Sequence, residues 1–130
     1  MWNGWPLDRV LLLFTALAFL LIFIQVWLFH YRQNFRHWAM WIPVLATPVL
    51  GVCLIILALG NTTRFRPVVV ALLVAGLLGG LVGFYYHFRG VGTRVDGYRI
   101  QNFLVGPPVI LPLMVTAISV LGLMAIYWRS

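Results

Sequence analysis

Residues 67–86 read PVVVALLVAGLLGGLVGFYY, and His87-Phe88-Arg89-Gly90 stops the run. From Val68 to Tyr86 there is not one charged side chain. A hydrocarbon layer about 30 Å thick needs roughly 20 apolar residues in a helix rising about 1.5 Å per residue. A barrel strand would alternate polar and apolar residues, whereas this stretch is apolar on every side. It reads as a membrane-spanning helix with Pro67 in its first turn, where the missing N–H costs nothing.

Three more runs of the same kind flank it. Val10 to Phe29 is interrupted only by Thr15 and Gln25, with Asp8-Arg9 before it and His30-Tyr31-Arg32 after. It is too long for a signal-peptide apolar region and no small-x-small cleavage site follows, so it is expected to be retained. Trp41 to Leu59 has Pro43 in its first turn and Pro48 inside, and Gly60-Asn61 ends it. Val109 to Trp128 follows Gly106-Pro107-Pro108, contains Pro112, Thr116 and Ser119, and is closed by Arg129. Tryptophan and tyrosine gather at the ends of these runs (Trp2, Trp5, Trp27, Tyr31, Trp38, Trp41, Tyr85, Tyr86, Tyr127, Trp128), where amphipathic rings settle at headgroup depth. The fold class is therefore all-α: one integral membrane four-helix bundle across residues 1–130, with helices about 10–29, 41–59, 68–86 and 109–128.

Composition excludes the main alternatives. Of the 130 residues 63% are hydrophobic and 8% charged, against about 45–50% and 25% in soluble domains. A soluble enzyme, a secreted disulfide scaffold and a disordered tail are ruled out. The net charge of +7 comes from nine arginines set against Asp8 and Asp96. Binding nucleic acid would need a basic face on a polar surface. These arginines instead fall between apolar runs, where they meet lipid headgroups. Four crossings put both termini on one face and the loops 31–40 and 88–106 on the other. Arg32, Arg36, Arg89, Arg94 and Arg99 lie on the loop face and Arg9, Arg64, Arg66 and Arg129 on the terminal face, a near tie that leaves orientation open. Cys53, alone in an apolar run, reads as a packing residue.

Helices in lipid associate through close contact at small residues. Ala71, Ala75, Gly79 and Gly83 recur every four residues along one face, with Gly76 and Gly80 in a second row beside it. This ridge is expected either to receive the second or fourth helix, with Thr47 and Gly51 as the matching surface, or to form a seam for a second copy or a partner subunit. In the long connection from Gly90 to Gly106, Asp96-Gly97 has the composition of a type I′ turn, which predicts a short β-hairpin near 93–100.

Ionisable groups in the middle of a span are the usual functional flag in a membrane protein. Here the centres of all four runs hold none, which argues against a proton-coupled exchanger. Three histidines, His30, His37 and His87, map to the loop face. His30 and His87 could ligate a b-type haem or hydrogen-bond a quinone headgroup, or could simply be interfacial histidines, half buried and half wet. His37 would share a face with His30 only if the first helix continued past Arg32. With Asp96 the one carboxylate on that face, no metal site is assigned. Gln25 is expected to pack between helices, and Thr116 and Ser119 to return their hydroxyls to the preceding turn. No nucleophile–base pair, phosphate-cradling glycine loop or zinc ligand set is present, so no enzymatic activity is expected.

From Leu50 to His87 the chain resembles the middle of DoxX-type four-helix membrane proteins: an apolar helix, then Gly60-Asn61-Thr62-Thr63-Arg64 in the pattern Gly-x-x-Thr-Arg, then an apolar helix ending near a histidine. That resemblance implies a membrane subunit accompanying a redox enzyme. The C-terminal half, with Gly83-Phe84-Tyr85-Tyr86-His87-Phe88-Arg89-Gly90 and Gly106-Pro107-Pro108, is similar to uncharacterised bacterial four-helix membrane proteins, and that similarity implies no activity. The expectation is a non-catalytic accessory or anchor subunit of a redox complex in the bacterial inner membrane, held in the lipid bilayer beside other subunits. The alternatives are a haem b- or quinone-binding electron-transfer subunit and a small oligomeric channel or transporter.

Overall fold

The computed structural model describes residues 1–128, so Arg129 lies outside the described residues. Four long helices, α1 (Leu7–Arg32), α2 (Trp41–Gly60), α3 (Arg66–Arg94) and α5 (Ile110–Tyr127), carry the apolar runs, and a short helix α4 (Ile100–Val105) precedes α5. All four long helices have the length and apolar composition to cross a membrane. In hydrocarbon every backbone N–H and C=O must find its partner within the segment, and the α-helix achieves this locally. In α2, Pro48 lies inside the helix and removes one such bond.

α1 packs against α2 and α5, and α3 packs against α5 and α2, so α1 and α3 face each other across the diagonal of the bundle. Leu12, Ala16 and Phe19 of α1, Leu50, Leu54 and Leu57 of α2, Val69 and Leu73 of α3, and Ala125 and Ile126 of α5 form one buried core. Ile22, Val26 and Val44 make a second cluster nearer the loop end. The outer surface is as apolar as the inside, with Leu21, Leu78 and Ile110 all more than half exposed. Water would penalise such a surface and lipid does not, so the protein is a multi-pass membrane protein.

Close packing follows a different row of small residues from the expected ridge. Ala71, Ala75 and Gly79 point outward, and of the ridge only Gly83 meets α5, where a Cβ would stand 3.2 Å from the Pro112 ring. The seam between α3 and α5 is built on Gly76 and Gly80. A Cβ on Gly80 would lie 2.6 Å from the Pro112 carbonyl oxygen, and one on Gly76 2.7 Å from Ser119 Oγ. That proximity lets Thr116 Oγ1 donate across the seam to the Leu77 carbonyl at 2.9 Å, rather than back into its own helix. Nor does Gly51 match the ridge: it seats α1, with Leu20 and the Ala16 carbonyl against it. Gln25 is exposed on the outer surface instead of packed between helices.

The hairpin expected near 93–100 is not formed. α3 continues past Tyr86 to Arg94, and no strand occurs among the described residues. Asp96 (φ 63°) and Gly97 (φ 112°) take positive φ, as a type I′ turn would require, but they serve a helix terminus. The Gly97 N–H donates to the Gly92 carbonyl at 3.1 Å, the six-to-one bond of a Schellman cap with Asp96 at the left-handed position. Gly92 has no side chain, so Tyr98 folds back over it and stacks on Phe88 at 5.0 Å, while Phe103 of α4 meets Phe88 at 5.6 Å. A helix cap and a hairpin ask the same backbone of Asp-Gly, and the aromatic contacts decide between them.

Candidate functional site

The loop end of the bundle is organised by how α1 stops. Asn34 (φ 56°) and Phe35 (φ 46°) enter the left-handed region. The Phe35 N–H donates to the His30 carbonyl at 3.1 Å and the Asn34 N–H to the Tyr31 carbonyl at 2.9 Å, a complete Schellman motif. Such a motif brings the residue after the cap against the helix's last turn, and here it sets the Phe35 ring 6.4 Å from His30. A left-handed backbone is costly for a phenylalanine. Offsetting that cost, Phe35 stacks on Trp41 at 4.1 Å, nearly parallel, and meets Trp27 at 5.4 Å. His30 therefore sits beside an aromatic wall made by α1, the turn and the start of α2.

From across the diagonal, α3 brings His87. The two imidazole centroids are 6.4 Å apart and their planes 69° apart. His87 Nδ1 lies 2.8 Å from the Pro108 carbonyl oxygen. A carbonyl can only accept, so in the neutral ring the proton sits on Nδ1 and the lone pair on Nε2. His30 is 8% exposed, and its Nδ1 is buried with no hydrogen-bond partner. Buried polar atoms are nearly always paired; His30 Nδ1 shares its lack of a partner with Ser119 Oγ in the α3–α5 seam and Arg66 Nε at the terminal end, and differs from them in lying beside a second imidazole.

His37 does not join the pair. α1 ends at Arg32, and His37 caps a short 3-10 turn, Trp38–Met40, accepting the Ala39 N–H on Nδ1 at 3.1 Å. Among the described residues no group of three or more His, Cys, Asp or Glu is placed to hold a metal ion. Cys53 is free and half-buried at the edge of the core.

Beside the histidines a cleft of about 660 Å³ opens between the end of α1, the end of α3 and the segment 105–108. Arg32, Arg36 and Arg94 line it, together with Phe29, Gln33, Val95 and Pro107. Pro108 borders both features, since it also lines the cleft and its carbonyl holds His87. Sequence reasoning singled out His30 and His87, which the fold brings within 6.4 Å of each other, and did not anticipate this cleft. Its arginines are far apart in the chain, and the turn after α1 and the extension of α3 bring them together.

The opposite end is built differently. Asp8 and Arg9 are buried there, at the start of α1. Trp2 Nε1 donates to Asp8 Oδ2 at 2.9 Å, Arg9 Nε donates to the Ala58 carbonyl at 2.8 Å, and the Arg9 guanidinium lies 3.9 Å from the Trp5 ring centroid. Asn61, left-handed at φ 50°, accepts the Trp2 N–H at 2.7 Å and returns a bond to the Trp2 carbonyl at 2.8 Å. The N-terminal residues are thus latched over the end of α2.

Fold and site together define a multi-pass four-helix membrane protein with paired histidines at one end. Comparison with protein-family models, with curated proteins and with solved structures finds no match for this chain.

Proposed function

We propose that this protein is an integral-membrane subunit of a bacterial redox complex, in the inner membrane, that binds an electron carrier, haem b or a quinone headgroup, at His30 and His87. The observation that carries the proposal is the unpartnered, buried His30 Nδ1 beside His87. His30 and His87, with ring centroids 6.4 Å apart, are the residues that would hold the group. The Pro108 carbonyl is the outer partner that orients a ligating histidine and leaves Nε2 free. Haem b would supply a one-electron couple there, and a quinone a proton-coupled one. The protein's own contribution is to hold two imidazoles close together at the loop end, the first beside the Schellman turn and the second through the Pro108 carbonyl.

No ionisable group lies in the middle of the bundle, and the resemblance to a redox-enzyme companion supports placing the carrier in a larger assembly. The outward row Ala71, Ala75 and Gly79 supports a partner helix or a second copy alongside α3, because small residues allow close approach in lipid. Purification from native membranes in mild detergent tests all of this together. The expected result is co-purifying subunits and either a Soret band or extractable quinone, lost in His30→Ala and His87→Ala. With neither pigment nor quinone the carrier reading fails and a plain anchor remains. A preparation that is alone and monomeric removes the subunit reading as well. The channel alternative predicts ion or solute flux in liposomes, and flux from protein lacking any carrier would favour it.

A further inference from the structure

We infer that the cleft at the loop end is a binding site for the phosphate headgroup of an acidic phospholipid. Three arginines, Arg32, Arg36 and Arg94, line one open cleft of about 660 Å³, within the roughly 300–1,000 Å³ of small-molecule sites. No carboxylate lines it. The sequence has two acidic side chains. Asp8 is at the opposite end of the bundle, and Asp96 lies in the cap after α3, outside the lining. Gln33 Oε1 takes one Arg36 N–H at 2.6 Å but brings no charge. Arg32 and Arg94 occupy helix C-termini, where the backbone's partial negative charge favours a cation. Arg36 lies in the turn beyond α1 and has no such reason to be there. Three exposed arginines and no carboxylate give the cleft a positive lining, and the planar forks of arginine suit phosphate oxygens.

Depth selects the source of that anion. At 26 residues α1 is about 39 Å long, which exceeds the roughly 30 Å hydrocarbon core and carries Arg32 into the headgroup layer. The lining also includes Phe29, Val95 and Pro107, apolar side chains that suit the glycerol and upper acyl segments of a lipid. A membrane-depth cleft lined by both arginines and apolar side chains matches an acidic phospholipid better than a freely diffusing ion.

The test uses full-length, pigment-free protein in neutral detergent, titrated with phosphatidylglycerol and with phosphatidylcholine and read by native mass spectrometry. Retention of phosphatidylglycerol over phosphatidylcholine is expected, weakened about tenfold or more in R32Q/R36Q/R94Q. The charge-matched R64Q/R89Q/R99Q, whose arginines lie outside the cleft, should bind within about twofold of the parent. The single variant R36Q, altered only in the turn, gives a smaller loss in the same direction should the triple variant fold poorly. Equal weakening in the cleft and control variants, or no preference for phosphatidylglycerol in the parent, overturns the site. Displacement of the lipid by millimolar inorganic phosphate overturns the lipid assignment and gives the arginines to a soluble anion.

Discussion

The two ends of the bundle differ in how many of their polar side chains are tied to protein partners. At the terminal end Asp8, Arg9 and Asn61 are tied to Trp2, Ala58 and one another's neighbourhood by hydrogen bonds of 2.7–2.9 Å. At the loop end His30 Nδ1 is buried without a partner, and three arginines face a cleft with no carboxylate. A satisfied buried network stabilises a fold, and a buried polar atom without a partner costs stability. The terminal end has one such atom too, Arg66 Nε, whose guanidinium lies 4.7 Å from the Tyr127 ring centroid. The hydrogen-bonded cluster of Asp8, Arg9 and Asn61 is thus read as structural, and the proposed function puts binding at the loop end.

Five substitutions test that contrast, and the first two set its scale from the middle of the bundle. Gly80→Leu forces a side chain into the Pro112 backbone and should cost about 3 kcal/mol or more, seen as loss of the folded fraction on denaturant titration in micelles. Gly79→Ala, one residue along and open to the outside, should change stability by less than about 0.5 kcal/mol.

Arg9→Ala comes next. It leaves the buried Ala58 carbonyl without its donor and removes the packing on Trp5, for an expected loss of about 2–3 kcal/mol in the same titration. Asn61→Ala unlatches Trp2 and puts alanine at φ 50°; about 1–2 kcal/mol should be lost, with Trp2 fluorescence shifting as the ring becomes mobile.

The loop end should respond in the reverse sense. His30→Phe replaces a buried unpartnered nitrogen with carbon in an aromatic setting, so stability should stay within about 0.5 kcal/mol of the parent or rise. The same variant should lose any bound pigment or quinone. A drop of about 2 kcal/mol in carrier-free His30→Phe would erase the distinction between the two ends, because His30 would then be doing structural work.

Much of this was legible in the chain. The four spans followed from run length and the absence of charge, and His30 and His87 were placed on one face because two helices end there. Three details were misread, each for a physical reason. Ala71-Ala75-Gly79 and Gly76-Gly80 have the same four-residue spacing, and only the position of Pro112 and Thr116 shows which row is closed upon. Asp96-Gly97 supplies positive φ equally to a hairpin or a helix cap, and Tyr98 on Gly92 settles the choice. Gln25 was expected inside because an amide needs a partner, yet its rotational position on α1 faces outward.

The sequence by itself determined the solvent, the number of crossings and the absence of charge at their centres, because burial in hydrocarbon depends on composition summed over a run. Which faces touch, and hence that His30 meets His87 across the diagonal while Arg32, Arg36 and Arg94 share one cleft, was decided only by tertiary structure. Lipid rewards an apolar face equally in every direction, so the rotation of each helix is set by close contact with its neighbours rather than by any pattern written along the chain.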